Sequence, residues 1–543
     1  MRLRNKIFLW ILSSLGAAVL LILTLILVVP SFIDSDMVKK RIQIYVRQES
    51  GGTIDFQKPE LILYPLPHIV FRQVSFSIPD KTTGLVQSLD IYPDVWSLIR
   101  GDVKFSKLRV ESPRFTVAIS EEMEKISLEQ IEEKFKSLVQ GLTSIAPNLF
   151  LIVQEGKLDL TKKDRFAFSF DTIQSRLTTS GKSLNLSLTC ASNLWGNLSF
   201  KSLLYAEDLR SDGAVQIKNF RPHILLTELF PKLGEHTGDS DTNLSVKFRA
   251  LGLRQIRAEV ESSLPGLVLM RGKNNIQIKD LNFKGDIEIE PKRVSVLLRD
   301  FNSTLPDLIM SGEFTLDRPS GIMDLDLEGK SIDVPSMRKS ILALGGDVPA
   351  IRDIFDIVRG GRIPSLHFSA SGKSPDDLGR LNNMRISGRI LSGDIYIQAR
   401  DLSFHNVTGD AVISKGILEG KNIEASLEGH QGSKGNLKLG LTGKDAPFNL
   451  DVWVKADAGQ LPLFLRQKHL IKNEAVLQEM DRLSGTTGTA QGKLILGDRL
   501  DSMHAVIDVS QINLVTRYEP LPFPLMITGG QIFFDEKSIK ATN

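Results

Sequence analysis

Apolar and polar residues alternate with period two over most of the chain beyond residue 147. Lys157-Leu158-Asp159-Leu160, Asn185-Leu186-Ser187-Leu188 and Asp286-Ile287-Glu288-Ile289-Glu290 are examples. Asp324-Leu325-Asp326-Leu327-Glu328 and Asn449-Leu450-Asp451-Val452-Trp453-Val454 are others. Successive side chains of a strand point to opposite faces, so the pattern predicts strands with one apolar and one wet face. It occupies 148–334, 363–458 and 485–543, with strands resuming from Thr489 in the last run. Helical spacing interrupts it at 335–362, where Ile351, Ile354, Phe355 and Val358 share a face and Gly360-Gly361 ends the helix, and again at 459–484. A shorter helix is expected from Pro222 to Leu233. Glu155-Gly156-Lys157-Leu158, Ser311-Gly312-Glu313-Phe314, Ser387-Gly388-Arg389-Ile390 and Gln491-Gly492-Lys493-Leu494 read as hairpin starts. Their irregular spacing excludes a solenoid of fixed period.

The first 147 residues are patterned differently. Ile7 to Val29 is uncharged, and a bilayer core of about 30 Å needs about 20 apolar residues in a helix. Residues 7–29 are therefore expected to form a transmembrane helix, with 1–6 as a short tip. Arg2, Arg4 and Lys6 precede it, and Asp34 and Asp36 follow it. The positive-inside tendency then leaves the N-terminus cytoplasmic and exports the bulk. A cleaved signal peptide is the other reading, but the run is long and lacks an A-x-A site.

Residues 30–147 begin with a helix to Gly51-Gly52, its stripe made by Ile33, Met37, Val38, Ile42, Tyr45 and Val46. Strands are expected over Thr53–Leu63, Ile69–Ile78, Gly84–Tyr92, Val103–Val110 and Phe115–Ile119. Tyr64-Pro65-Leu66-Pro67 forms a corner, since proline cannot donate to a ladder. Glu121–Leu142 is an amphipathic helix that packs over the sheet or closes one end of a groove.

The order of these features resembles the AsmA family of envelope proteins. An apolar anchor leads to a helix ending in a glycine pair, then Pro65-x-Pro67 before Ile69-Val70-Phe71. Leu98-Ile99-Arg100-Gly101-Asp102-Val103 and Val110-Glu111-Ser112-Pro113-Arg114-Phe115 follow. The resemblance covers about the first 120 residues. It implies a single-pass inner-membrane protein of a diderm bacterium, with its bulk in the periplasm. It also implies kinship with bridge-like lipid-transfer proteins, whose long curled sheet encloses an apolar channel.

The fold expected is mainly β with short helices: a transmembrane helix, then a long, curled, mostly antiparallel sheet forming an apolar groove. A one-sided apolar sheet must cover that face. By residues alone, packed sandwiches and an incomplete tube are equally open; the resemblance implies the tube. At about 4.8 Å per strand, about 25 strands would extend roughly 120 Å. Leu158, Leu160, Leu186, Leu188, Ile287, Ile289, Leu325, Leu327, Leu450 and Val452 are the candidate groove residues. The expected function is to hold phospholipid acyl chains and help move lipid between inner and outer membranes. The alternative is an envelope assembly scaffold that acts on outer-membrane protein biogenesis through sheet-edge pairing. The chain ends at Asn543 within an apparent hairpin, which suggests a fragment or a partner, such as an outer-membrane or envelope protein, that supplies the next strand.

Composition adds little chemistry. A net charge of +3 over 543 residues implies no nucleic-acid surface. Cys190 is the single cysteine, so no intramolecular disulfide forms, and no basic cluster activates it. The eight histidines show no metal-ligand spacing and read as surface or hydrogen-bonded residues. Gly488-Thr489-Ala490-Gln491-Gly492-Lys493-Leu494 is one residue short of a P-loop and lacks its Ser/Thr, so it reads as a turn before a strand. No catalytic constellation, cofactor site or metal site is expected.

Overall fold

The computed structural model describes residues 35–542, apart from 63, 80–81, 95–96, 98–99, 101–103, 119–127, 163–164, 230–239, 272–273, 346–348, 399–400, 442–445, 468–473, 500–503 and 536–537. The expected tip and span (1–29), most of the Leu98–Val103 motif and the start of the helix expected from Glu121 lie outside these. Among the described residues no helix is long and apolar enough to cross a membrane. The chain is mainly β, with mostly antiparallel pairing and short helices. It divides into two compact units, residues 1–270 with 282–294, and 271–281 with 295–543.

The first unit opens with α1 (Ser35–Ser50). Gly51 ends it with φ +69°, donating its N–H to the Arg47 carbonyl at 3.1 Å. This left-handed close is one that glycine adopts without a Cβ penalty. β1 (Thr53–Asp55) and β2 (Glu60–Ile62) both pair with β3 (His68–Ile78). The single strand expected from Thr53 to Leu63 is thus broken. Phe56 turns into the core, edge-on to Phe71 at 5.3 Å, and Pro59 has no N–H to give a ladder. β4 (Thr82–Pro93) pairs with β3 on one side, and with β5 (Phe105–Glu111) and β6 (Arg114–Ala118) on the other. α2 (Leu128–Ile145) then carries the chain back, so β7 (Phe150–Lys162) runs parallel to β5 and β6. A parallel neighbour requires such a crossover.

From β7 the ladder is antiparallel through β8 (Arg165–Ser180), β9 (Ser183–Ser192), β10 (Trp195–Tyr205) and β11 (Arg210–Phe220). α3 (Pro222–Leu229) intervenes before β12 (Thr242–Leu251) and β13 (Gln255–Arg271). β14 (Asn274–Ile289) and β15 (Arg293–Thr304) each have residues in both units.

α1 and α2 seal the core over β3–β5. Ile42, Val46, Val139 and Leu142 meet Phe71, Leu89, Ile91 and Leu108, the last two with no exposure. The Glu132 carboxylate on α2 accepts the Leu253 N–H at 3.1 Å and pairs with Arg254 at 3.1 Å, tying the helix to the β12–β13 turn. Packing over the sheet, as expected for this helix, is what it does. A smaller closed cluster joins Val117, Leu160, Phe168 and Leu194, with Ile224 and Leu225 of α3 against it.

The second unit continues with β16 (Asp307–Asp317) and β17 (Met323–Asp333), then α4 (Val334–Gly345) and α5 (Pro349–Ile357). Next come β18 (Val358–Gly372), α6 (Pro375–Leu378), β19 (Met384–Ile397), β20 (Leu402–Ser414), β21 (Ile417–Leu427), β22 (His430–Gly440) and β23 (Pro447–Asp457). α7 (Leu461–Gln467) and α8 (Glu474–Asp481) precede β24 (Leu483–Arg499) and β25 (His504–Tyr518). β26 (Leu525–Thr528), β27 (Gln531–Asp535) and β28 (Ser538–Thr542) complete it. β16 to β25 pair in sequence order, all antiparallel.

Several glycines expected at turns lie inside strands instead. Gly156, Gly312, Gly388 and Gly492 sit within β7, β16, β19 and β24, so the motifs read as hairpin starts are not starts. The P-loop-like stretch Gly488–Leu494 is likewise mid-strand in β24, and Gly360-Gly361 lies in β18 rather than ending a helix. The reason is close backbone approach. A Cβ on Gly492 would stand 2.2 Å from the Asp508 carbonyl oxygen, beside a register shift between β24 and β25.

Candidate functional site

Directly opposed residues of an antiparallel pair share a face, so the register shows how far the apolar face extends. In the first unit, one row reads Val153, Ser175, Leu188, Phe200, Val215, Val246, Val260 from β7 to β13. The neighbouring row reads Leu151, Leu177, Leu186, Ser202, Gly213, Phe248, Ala258. Gly213 has a reason here: its Cβ would meet the Phe248 ring at 2.5 Å, so the ring takes the space. In the second unit, a row from β16 to β23 reads Gly312, Leu327, Phe368, Ile386, Ile413, Leu418, Leu439, Phe448. Leu188, Phe200, Val215, Leu327 and Phe368 are only half-buried, although each is in the interior of its ladder.

The apolar face survives changes of phase. In β20, Leu402 and Phe404 face the same way as Val407, Ala411 and Ile413, because they oppose Ile397, Ile395, Gly393, Gly388 and Ile386 of β19. Even positions become odd across Asn406, whose φ is +52°. β19 switches at Ser392, β21 at Asn422 and β22 at Lys434, each at φ +50° to +52° and each within a register shift. An extra residue of this kind is a β-bulge, which bends the strand and sharpens its twist.

The bulged strands wall a partly open cavity of about 150 Å³ in the second unit. Its wall comes from β19 to β25 and from Leu461 and Phe464 of α7, and is almost wholly apolar. Gln431, Gln491 and Lys493 also line it, and His430 is its buried polar side chain. It is 4% exposed, and its Nδ1 accepts the Asp457 N–H at 3.2 Å. Its Nε2 is buried with no hydrogen-bond partner. The ring stands edge-on to Phe464 at 5.2 Å. Burial pushes its pKa below the ordinary value, against the pull of the Asp457 and Glu428 carboxylates.

No protein-family model and no curated protein matches the chain. The site is therefore read from its own geometry. Among the ten candidate groove residues, Leu450 and Val452 line the cavity. Leu186 and Leu188 lie half-buried on the apolar face of the first unit, and Leu325 and Leu327 on that of the second. Ile287 and Ile289 are half-buried on β14. Leu160 is corrected: it has no exposure and sits in the closed cluster under α3, with Leu158 packed against it. The reason is tertiary, since helix α3 covers that part of β7.

His430 was not singled out by the sequence. The available signal was its place directly after Glu428-Gly429, with Gly429 at φ +88°, which makes it a strand-start residue opposite Leu427. Cys190 is buried, and burial raises its thiol pKa. Among the described residues, no group of three or more His, Cys, Asp or Glu side chains is placed to hold a metal ion.

Proposed function

We propose that this chain binds phospholipid acyl chains along its apolar face and helps to move lipid between the inner and outer membranes of a diderm bacterium, supporting outer-membrane integrity. Residues 7–29 would hold it in the inner membrane, N-terminus inside and bulk periplasmic. The observation that carries the reading is the register: apolar rows pass from strand to strand, yet many of their members stay half-exposed. Acyl chains would cover such a surface favourably, at about 0.8 kcal/mol per CH₂. A face of uniform character lets tails slide, so net direction comes from a gradient or a partner. The resemblance to the AsmA family supports the same reading.

The test is mass spectrometry of lipid extracted from the full chain after mild purification. Phospholipid should co-purify and should fall in the variants Leu186→Asp with Leu188→Asp, and Leu325→Asp with Leu327→Asp. A folded chain free of lipid would overturn the proposal.

One observation favours the second reading, an assembly scaffold that pairs through a sheet edge. Phe523, just before the short strand β26, and Met526, within it, are 58% and 73% exposed. Crosslinking from position 526 to an envelope protein, in a chain that carries no lipid, would select it.

A further inference from the structure

We infer that the cavity of the second unit is a subsite for an acyl chain carrying an ester carbonyl, and that the Nε2–H of His430 is the donor that recognises it. The inference rests on the acyl-chain reading above and adds a polar point of recognition to it.

The tautomer follows from the hydrogen bond already made. Nδ1 accepts the Asp457 N–H, so it carries no proton, and the neutral ring holds its hydrogen on Nε2. That N–H is buried, without a partner, in the wall of an apolar cavity. The edge-on Phe464 ring packs against the imidazole. An unmatched buried donor is costly, and native proteins rarely keep one without a use. Water does not solve the problem well. A water needs two to four polar partners, and the lining is almost wholly apolar. The matching occupant offers one acceptor and is otherwise apolar.

The charge of the site narrows this further. A carboxylate would need more than one donor to leave water. The nearby cation, Lys493, is committed to Asp451 at 2.9 Å. A neutral ester carbonyl, as in a glycerolipid, needs only the single N–H. The cavity holds only a short part of such a chain, and the rest would follow the apolar face along β23 and β24, where Val452 opposes Leu494 and Leu450 opposes Leu496.

The experiment uses the full chain stripped of bound lipid. Displacement of a fluorescent acyl probe gives dissociation constants for methyl octanoate and for undecane, matched in heavy atoms. The ratio of ester to alkane affinity should be roughly fivefold higher in the unaltered chain than in His430→Phe, the usual worth of one hydrogen bond. His430→Phe should therefore weaken ester binding more than alkane binding, while His430→Gln, which keeps a donor, should restore part of the ratio. Should His430→Phe fail to fold, the ¹⁵N shift of His430 Nε2 in the unaltered chain decides instead. It must move with the ester and not with the alkane. An ester-to-alkane ratio that is the same in the unaltered chain and in His430→Phe would overturn the subsite. Phospholipid that still co-purifies in that case leaves the wider proposal standing. Absence of both co-purified lipid and probe binding removes both.

Discussion

β4 in the first unit and β17 in the second carry similar numbers of apolar residues but meet opposite fates. In β4, Val86, Leu89 and Ile91 are sealed beneath α1 and α2, and even Ser88 and Asp90 are buried, the Ser88 hydroxyl donating to the Asp90 carboxylate at 2.6 Å. In β17, Met323, Leu325 and Leu327 are half-buried, while Asp324, Asp326 and Glu328 stand in solvent. The stricter alternation belongs to the strand whose apolar face is less covered. A strand wrapped on both sides loses its alternation, because both faces must satisfy the interior. Period two is thus the mark of a sheet with one wet face, and it does not by itself report a closed core.

The comparison breaks most sharply at Ile91. Ile91→Asp buries an unpaired charge where exposure is 0%, and should cost more than about 4 kcal/mol. Loss of the cooperative denaturation transition of the first unit would register it; a wild-type midpoint would refute the description of that core. A mid-strand glycine comes next. Gly492→Val places a Cβ against the Asp508 carbonyl and should destabilise by about 2 kcal/mol. Denaturant midpoints would measure this.

On β17 the same kind of change that ruins β4 should be mild. Leu325→Asp should shift stability by less than about 1 kcal/mol, and its visible effect should be lost lipid. A large stability loss there would mean that β17 belongs to a closed core after all.

The smallest effect is a pH dependence. Burial holds the His430 imidazole below its unfolded value of 6.5. As pH falls below that value the unfolded chain takes the proton first, so stability present above it is lost progressively on acidification. Thermal scans between pH 7.5 and 5 should show this decline, and His430→Phe should flatten it. The opposite slope would show that Asp457 and Glu428 outweigh burial.

Much of the fold was legible in local pattern. The helix closed by Gly51, the amphipathic face of α2 and the alternation of β9 and β17 each depend on residues close in sequence. Half-burial of Leu186, Leu188, Leu325 and Leu327 could be anticipated from the same alternation. The fate of Leu160 could not, since the α3 residues over it lie more than 60 positions away. Glycine was misread for a related reason. In Gln491-Gly492-Lys493 the feature that demands glycine is the Asp508 carbonyl of the next strand, not a turn.

What the sequence determined by itself is therefore the kind of element over most of the described residues and the existence of an apolar face. Those follow from side-chain spacing against backbone periods of 3.6 and 2, which are local. The tertiary structure alone decided which residues share that face. Asn406, Asn422 and Lys434 each insert one left-handed residue that moves the apolar phase by one, and only the register of the neighbouring strand shows it. It also decided that Leu437, Val452 and Phe464 would line one cavity together with His430, whose Nε2 is buried without a partner. A hydrogen-bonded ladder sums over partners distant in sequence, and a slip of a single residue inverts every side chain beyond it.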